Sequence, residues 1–119
     1  MSYNIFALNP TSIVYSYYQD EDPTWKPMWF IIESECDLEN IDGIYTNEGK
    51  IFNNDEAKII GKKLKEILDT DKINLYIDKH KENCEKFKDI IRPIALKFDK
   101  KLIKEFSNFC LNSGGFKIL

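Results

Sequence analysis

Apolar and polar positions recur with distinct periods along the chain, and those periods mark its elements. In residues 54–70, N-D-E-A-K-I-I-G-K-K-L-K-E-I-L-D-T, the positions Ala57, Ile60, Gly61, Leu64, Ile67 and Leu68 recur at three- and four-residue steps while the lysines fall between them. That is the stripe of an amphipathic helix, capped by Asn54 or Asp55 and with Glu56 beside its positive end. A glycine inside such a stripe costs about 1 kcal/mol against alanine, so Gly61 predicts the close approach of another backbone. Residues 99–118, D-K-K-L-I-K-E-F-S-N-F-C-L-N-S-G-G-F-K-I, repeat the pattern. Asp99 is the predicted cap, Leu102, Ile103, Phe106, Phe109 and Cys110 the buried face, and Gly114 the left-handed residue that stops the helix before a short apolar tail. Its face is the expected surface on which the helices from Asp55 and from Asp71 close.

Two further helices follow from weaker patterns. Asp71 is read as the cap of a helix whose stripe is Ile73, Ile77, His80, Cys84, Phe87 and Ile91, ended by Pro93. Thr24 is read as the cap of another, with Pro27 in its first turn and Trp25, Met28, Trp29 and Ile32 on one apolar face. Ahead of it, Y-N-I-F-A-L and S-I-V-Y-S-Y-Y are β-prone and are separated by Asn9-Pro10. I-Y-T, N-E-G and K-I-F, from residue 44 to residue 52, read as a tight hairpin, and P-I-A-L-K-F as extended. The expected fold is mainly α with minor β (α+β), a single domain over residues 1–119 built as a bundle of about four helices with a short hairpin and a C-terminal extended tail.

Composition supports a packed core, since 43% of the residues are hydrophobic and there are eight Phe, six Tyr and two Trp. The three cysteines, Cys36, Cys84 and Cys110, lie far apart and form no paired or metal-knuckle spacing, which predicts free thiols in a reducing cytoplasm. The opening residues lack the basic and long apolar regions of a secretion signal, and no run approaches the roughly 20 apolar residues of a membrane helix. No membrane partner is expected.

Charge divides the chain. Residues 1–57 hold eleven acids against Lys26 and Lys50, a net −9, whereas residues 58–119 hold nine acids against fifteen bases, a net +6. Acids this one-signed would steer a basic partner. The density around Asp37–Asn54 fits no calcium loop, because setting Gly43 or Gly49 at the sixth position puts Leu38 or Ile44 at the first. Phosphate-loop, dinucleotide and zinc-protease motifs are absent from the sequence, as is a Cys/His metal set. His80 is the sole histidine, and its one conceivable nucleophilic partner, Cys84, shares its apolar stripe, where neither would meet substrate. The lysines at 58, 62, 63, 65, 79, 81, 86 and 88 are interleaved with acids, and one arginine with a pI near 5.2 argues against a dedicated nucleic-acid binder. No catalytic, cofactor-binding or metal-binding residue is assigned, no cofactor is expected, and the chain is read as a non-enzyme.

Three pieces carry a resemblance: W-K-P-M-W near residue 25, I-Y-T-N-E-G-K-I-F-N-N-D-E-A-K-I-I-G-K-K-L from 44 to 64, and F-S-N-F-C-L-N-S-G-G-F-K-I from 106. Together they resemble a group of small bacterial cytosolic proteins with a tryptophan-bearing helix, a turn carrying Tyr45, Asn47 and Gly49 ahead of an alanine-containing helix, and a Phe-Cys…Gly-Gly-Phe ending. The chain also looks similar in style to the immunity proteins encoded beside polymorphic or contact-dependent growth-inhibition toxins. What that resemblance implies is fold-forming roles for Asn47, Gly49, Gly114, Gly115 and Phe116, and no catalytic residue. Taken with the acidic half, it leads to the expectation of an immunity or antitoxin-like protein that neutralises a cognate, basic, nuclease-type toxin. The expected contacts are Asp20, Glu21, Asp22, Glu35, Asp37, Glu39, Asp42 and Glu48, with Tyr17 and Tyr18 as aromatic anchors. The alternative expectation is a regulatory module that docks another protein or self-associates through aromatics between Tyr15 and Trp29.

Overall fold

The helix over residues 54–69 takes its cap one residue before Asn54, the nearer of its two predicted caps. In the computed structural model, which describes residues 2–39, 41–87 and 97–119 and the side chains of these except residues 83–87, α2 spans Asn54–Asp69. Asn53 caps it by accepting from Glu56 N at 2.8 Å, and Glu56 Oε1 accepts from Asn53 N at 3.0 Å, a reciprocal capping box. The last helix, which chain order makes α4, spans Lys100–Asn112 and is capped by Asp99, whose Oδ1 accepts from Lys101 N and Leu102 N. These two helices meet through Gly61. A β-carbon there would lie 2.7 Å from Leu111 Cγ and 2.9 Å from the Ser107 carbonyl oxygen. The Ser107 hydroxyl donates to the Gly61 carbonyl at 2.6 Å across the contact. The predicted backbone approach is thereby made, with α4 as the partner.

Between them α3 spans Lys72–Phe87 and packs mainly against α2, with Ile73 buried and Ile77 half-buried. Asp71 stands at the junction with φ 58°, and its carbonyl accepts from Asn74 N. The expected end of this helix at Pro93, the stripe position Ile91 and most of the P-I-A-L-K-F stretch lie outside the described residues.

The first helix, α1, spans Asp22–Glu35. Thr24 is therefore not its cap but lies in its first turn, and Glu21 occupies the cap position with no side-chain bond to the helix. The start moves because Pro23 suits a first helical turn as well as Pro27 does. Pro27 falls in the helix interior instead, where its missing N–H leaves the Pro23 carbonyl without its i+4 donor. Lys97 N supplies the replacement at 2.7 Å, tying the segment before α4 onto α1.

Of the two β-prone N-terminal runs, Y-N-I-F-A-L supplies most of strand β1, Ser2–Ala7, whereas S-I-V-Y-S-Y-Y winds a 3-10 turn at Ile13–Tyr15 and only its Tyr17 and Tyr18 enter β2, Tyr17–Glu21. The expected hairpin between residues 44 and 52 does not form. Lys50–Asn53 is a strand, β3, but Ile44 is buried outside any strand and its carbonyl accepts from Trp25 Nε1 at 2.9 Å. The partner of β3 is the C-terminal strand β4, Gly115–Ile118, with Phe52 opposite Phe116. Long-range pairing wins because it buries Phe52 against Trp29, ring centroids 5.3 Å apart, and against Phe116 at 5.1 Å.

The four strands form one antiparallel sheet in the order β2-β1-β4-β3, so the tail expected to be merely extended is an inner strand. Alternation decides its faces. Tyr3, Ile5, Tyr18, Phe52, Phe116 and Ile118 are buried, while Phe6, Tyr17 and Ile51 are exposed. The buried face receives α1 and α4: Tyr3 stacks on Trp25 at 5.1 Å, and Phe106 lies 5.0 Å from Tyr18 and 5.7 Å from Phe116. The fold is α+β, four helices and an antiparallel sheet among the described residues, around one aromatic core.

Candidate functional site

The ten residues expected to meet a partner divide according to what the fold requires of them. Tyr18 and Asp20 are core residues, 7% and 4% exposed, because the alternation of β2 turns both inward. Their place on a contact surface is corrected accordingly. Asp20 is a buried acceptor for the Thr24 hydroxyl, for Glu21 N at 2.8 Å and for the Tyr18 hydroxyl at 3.1 Å. Burial pushes its carboxyl above the ordinary range, a shift those three hydrogen bonds partly offset. Burial and the adjacent Asp20 likewise push the Tyr18 phenol up.

Two more acids are half-buried and engaged. Asp22 accepts from Tyr3 Oη at 2.5 Å, which with its neighbouring cations holds its carboxyl low, and Lys26 lies 3.9 Å away. Glu35 bridges to α3, accepting from Lys72 Nζ at 2.8 Å and Tyr76 Oη at 2.5 Å. Those bonds hold its carboxyl below the usual value, while burial and the Glu35 contact push the Tyr76 phenol up to about 12.

The remaining candidates stand at the surface. Glu21, Asp37, Glu39, Asp42 and Glu48 are exposed, as is Glu33 on the last turn of α1, which the sequence reading counted as charge without placing it at the site. The loop from Cys36 to Gly49 folds back along α1, fixed where Ile44 takes the Trp25 indole proton. Near its end Asn47 Nδ2 donates to Ser2 O at 3.4 Å, and Ser2 is the strand partner of Glu21. Glu48 is thereby brought toward the end of α1 that carries Glu21, and the exposed acids follow one loop instead of forming one tight cluster. Tyr17 is 45% exposed, leans on Phe6 with centroids 5.2 Å apart, and donates to Asn4 Oδ1.

A second feature has no counterpart in the sequence reading. Between α1, the folded-back loop, α3 and the segment before α4 lies a cleft of about 340 Å³. α1 contributes Lys26, Pro27 and Phe30, the loop contributes Tyr45, α3 contributes Tyr76, Lys79 and His80, and the segment before α4 contributes Phe98. Phe30 meets Tyr76 edge to face at 6.0 Å, and Phe98 meets His80 likewise at 5.4 Å. One signal was available: Phe30 lies off the Trp25, Met28, Trp29 and Ile32 stripe, so helical periodicity already turned a large aromatic outward.

His80 borders the cleft, and the side chain of Cys84, its conceivable nucleophilic partner, lies outside the described ones. Cys110 is fully buried and burial raises its thiol far above the ordinary value, while Cys36 is half-buried; both are free. Among the described residues no group of His, Cys, Asp and Glu is placed to hold a metal ion, and no helix is long and apolar enough to cross a membrane. In comparison with known proteins, no family model, no curated protein and no solved structure matches the chain significantly.

Proposed function

We propose that the protein is an immunity or antitoxin-like inhibitor that binds a basic, nuclease-type bacterial toxin in the cytoplasm through the acidic loop after α1. The observation that carries this reading is that Glu33, Asp37, Glu39, Asp42 and Glu48 are exposed along a stretch whose backbone is pinned to the core by Trp25. Surface acids contribute little to stability, and a pinned loop presents them without the ordering cost of a mobile one. Tyr17 is the retained aromatic anchor, and Glu21 extends the charge toward it.

The test is co-expression with the product of the adjacent gene. Expected is rescue of growth from a toxic product, with an association rate that falls as salt screens the steering and falls again on Glu39→Lys with Asp42→Lys. A harmless neighbour, or an association rate indifferent to both salt and the double reversal, overturns the reading.

The self-association alternative has an observation of its own. Trp25, Trp29 and Tyr18 are buried, which removes most of the aromatics first expected to form that interface. Phe6 and Tyr17 nevertheless pair on the open face of the sheet, and Ile13 and Val14 project at 86% and 76% exposure from the 3-10 turn. Light scattering that shows a concentration-dependent dimer, abolished by Ile13→Asp, favours this module over the inhibitor.

A further inference from the structure

A contiguous apolar patch at a surface marks an interaction site, and three of the four walls of the cleft are fixed to the fourth, α1, by bonds made outside it. Tyr76 is anchored through its hydroxyl to Glu35, Tyr45 follows the carbonyl that takes the Trp25 indole proton, and Phe98 follows the Lys97 N–H bonded to Pro23. Phe30 is 52% exposed on a helix whose opposite side is buried in the core. The rings already touch one another, Phe30 against Tyr76 at 6.0 Å and Tyr76 against Phe98 at 6.3 Å, so they form one preset aromatic wall, and a ligand lying against it orders little.

Among the described residues its charged lining has one sign. Lys26 and Lys79 border the cleft, with His80 between the rings, and no carboxylate lines it among the described residues. Lys26 leans on Asp22 at a loose 3.9 Å, whereas no ion pair among the described residues engages Lys79. A volume of about 340 Å³ is at the small end of the range of ligand pockets, suited to one or two fused rings and not to a folded element of another protein.

We infer that this cleft is a binding site for a small planar aromatic anion, its ring held edge and face by Phe30, Tyr76 and Phe98 and its charge met by Lys79. The inference does not rest on the toxin reading, although Tyr45 sets the acidic loop against one wall of the cleft. The probes are 1-naphthoate, cyclohexanecarboxylate, which keeps the charge without the ring electrons, and 1-naphthylmethylammonium, which keeps the ring and reverses the charge. Binding is followed by NMR through the ring resonances of His80 and Phe98.

Naphthoate is expected to shift these resonances saturably, with affinity lowered about tenfold in Lys79→Ala, the scale of one lost charge-assisted contact. Phe30→Ala is expected to lower it by a similar factor, and both positions are exposed enough for the variants to fold. Cyclohexanecarboxylate binding as tightly as naphthoate overturns the role of the rings. Equal binding of the ammonium probe, or an unchanged affinity in folded Lys79→Ala, overturns the role of the charge. The absence of any saturable shift overturns the site.

Discussion

Gly61→Ala sets two rules against each other. In an isolated helix the change stabilises by about 1 kcal/mol, because alanine gives up less backbone entropy than glycine. At this crossing the new methyl would lie 2.9 Å from the Ser107 carbonyl oxygen, a backbone atom that cannot swing aside, and 2.7 Å from Leu111 Cγ. Forcing an extra carbon into packed surroundings costs about 1–3 kcal/mol. Moving α4 away also stretches the buried 2.6 Å bond from Ser107 to Gly61, worth about 1 kcal/mol. The expected net loss is about 2 kcal/mol, a fall of about 1 M in the urea midpoint. Trp25 and Trp29 are fully buried and report unfolding by fluorescence. Pairing the change with Leu111→Ala removes one of the two clashes but leaves the carbonyl, so the double variant should lose less than the sum of the singles. A midpoint that stays put or rises in Gly61→Ala would refute the close approach of α2 and α4, since propensity alone would then have decided the result.

Three other outcomes follow from the same structure. Gly114→Val should destabilise by about 2 kcal/mol, because φ is 68° there and a β-carbon would stand 2.5 Å from the Asn9 carbonyl; thermal melting checks it. Glu35 has its carboxyl lowered by Lys72 and then Tyr76, so its stabilisation is present above the ordinary value of 4.5 and is lost as the pH falls through its folded-state value. Glu35→Gln should flatten the acid limb of the stability profile, and an unchanged slope would count against the α1–α3 tie. Trp25→Phe keeps the ring stack on Tyr3 but removes the donor to Ile44, so amide exchange at residues 44–46 should speed up more than exchange in β1 does.

What could be read without coordinates depended on the range of the interaction that decides it. The caps and stripes of α2 and α4 are local, and Gly61 and Gly114 announced their roles through their neighbours in sequence. The partner of β3 was hidden because Asn47 and Gly49 supply good turn chemistry, while the competing strand lies more than sixty residues away and shows only in the burial of Phe52. Thr24 resembles a cap because Pro27 suits a first turn, but Pro23 suits one that starts earlier, and that is the start the helix takes. The alternation in Y-Y-Q-D-E does put Tyr18 and Asp20 on one face, yet an aspartate is read as surface until Thr24, Tyr18 and the Glu21 amide are seen to surround it. The cleft was least legible of all, since its walls come from four separated segments and its fixing bonds join the other three to α1.

The inner position of β4 constrains how the molecule comes to exist on a ribosome. β1 can pair early with β2, and α2 can wind as soon as it is made, but among the described residues β3 pairs with β4 alone, and β1 is joined to β3 only through β4. Until Gly115–Ile118 has left the exit tunnel, the nascent chain carries a two-stranded ribbon, an unattached strand and an aromatic layer with Phe116 missing from it. Such a chain has an open strand edge and unburied rings, the features that draw chaperones and favour aggregation. The sheet is therefore completed only once β4 has emerged, and the delay between β3 and β4 sets how long the exposed intermediate must survive.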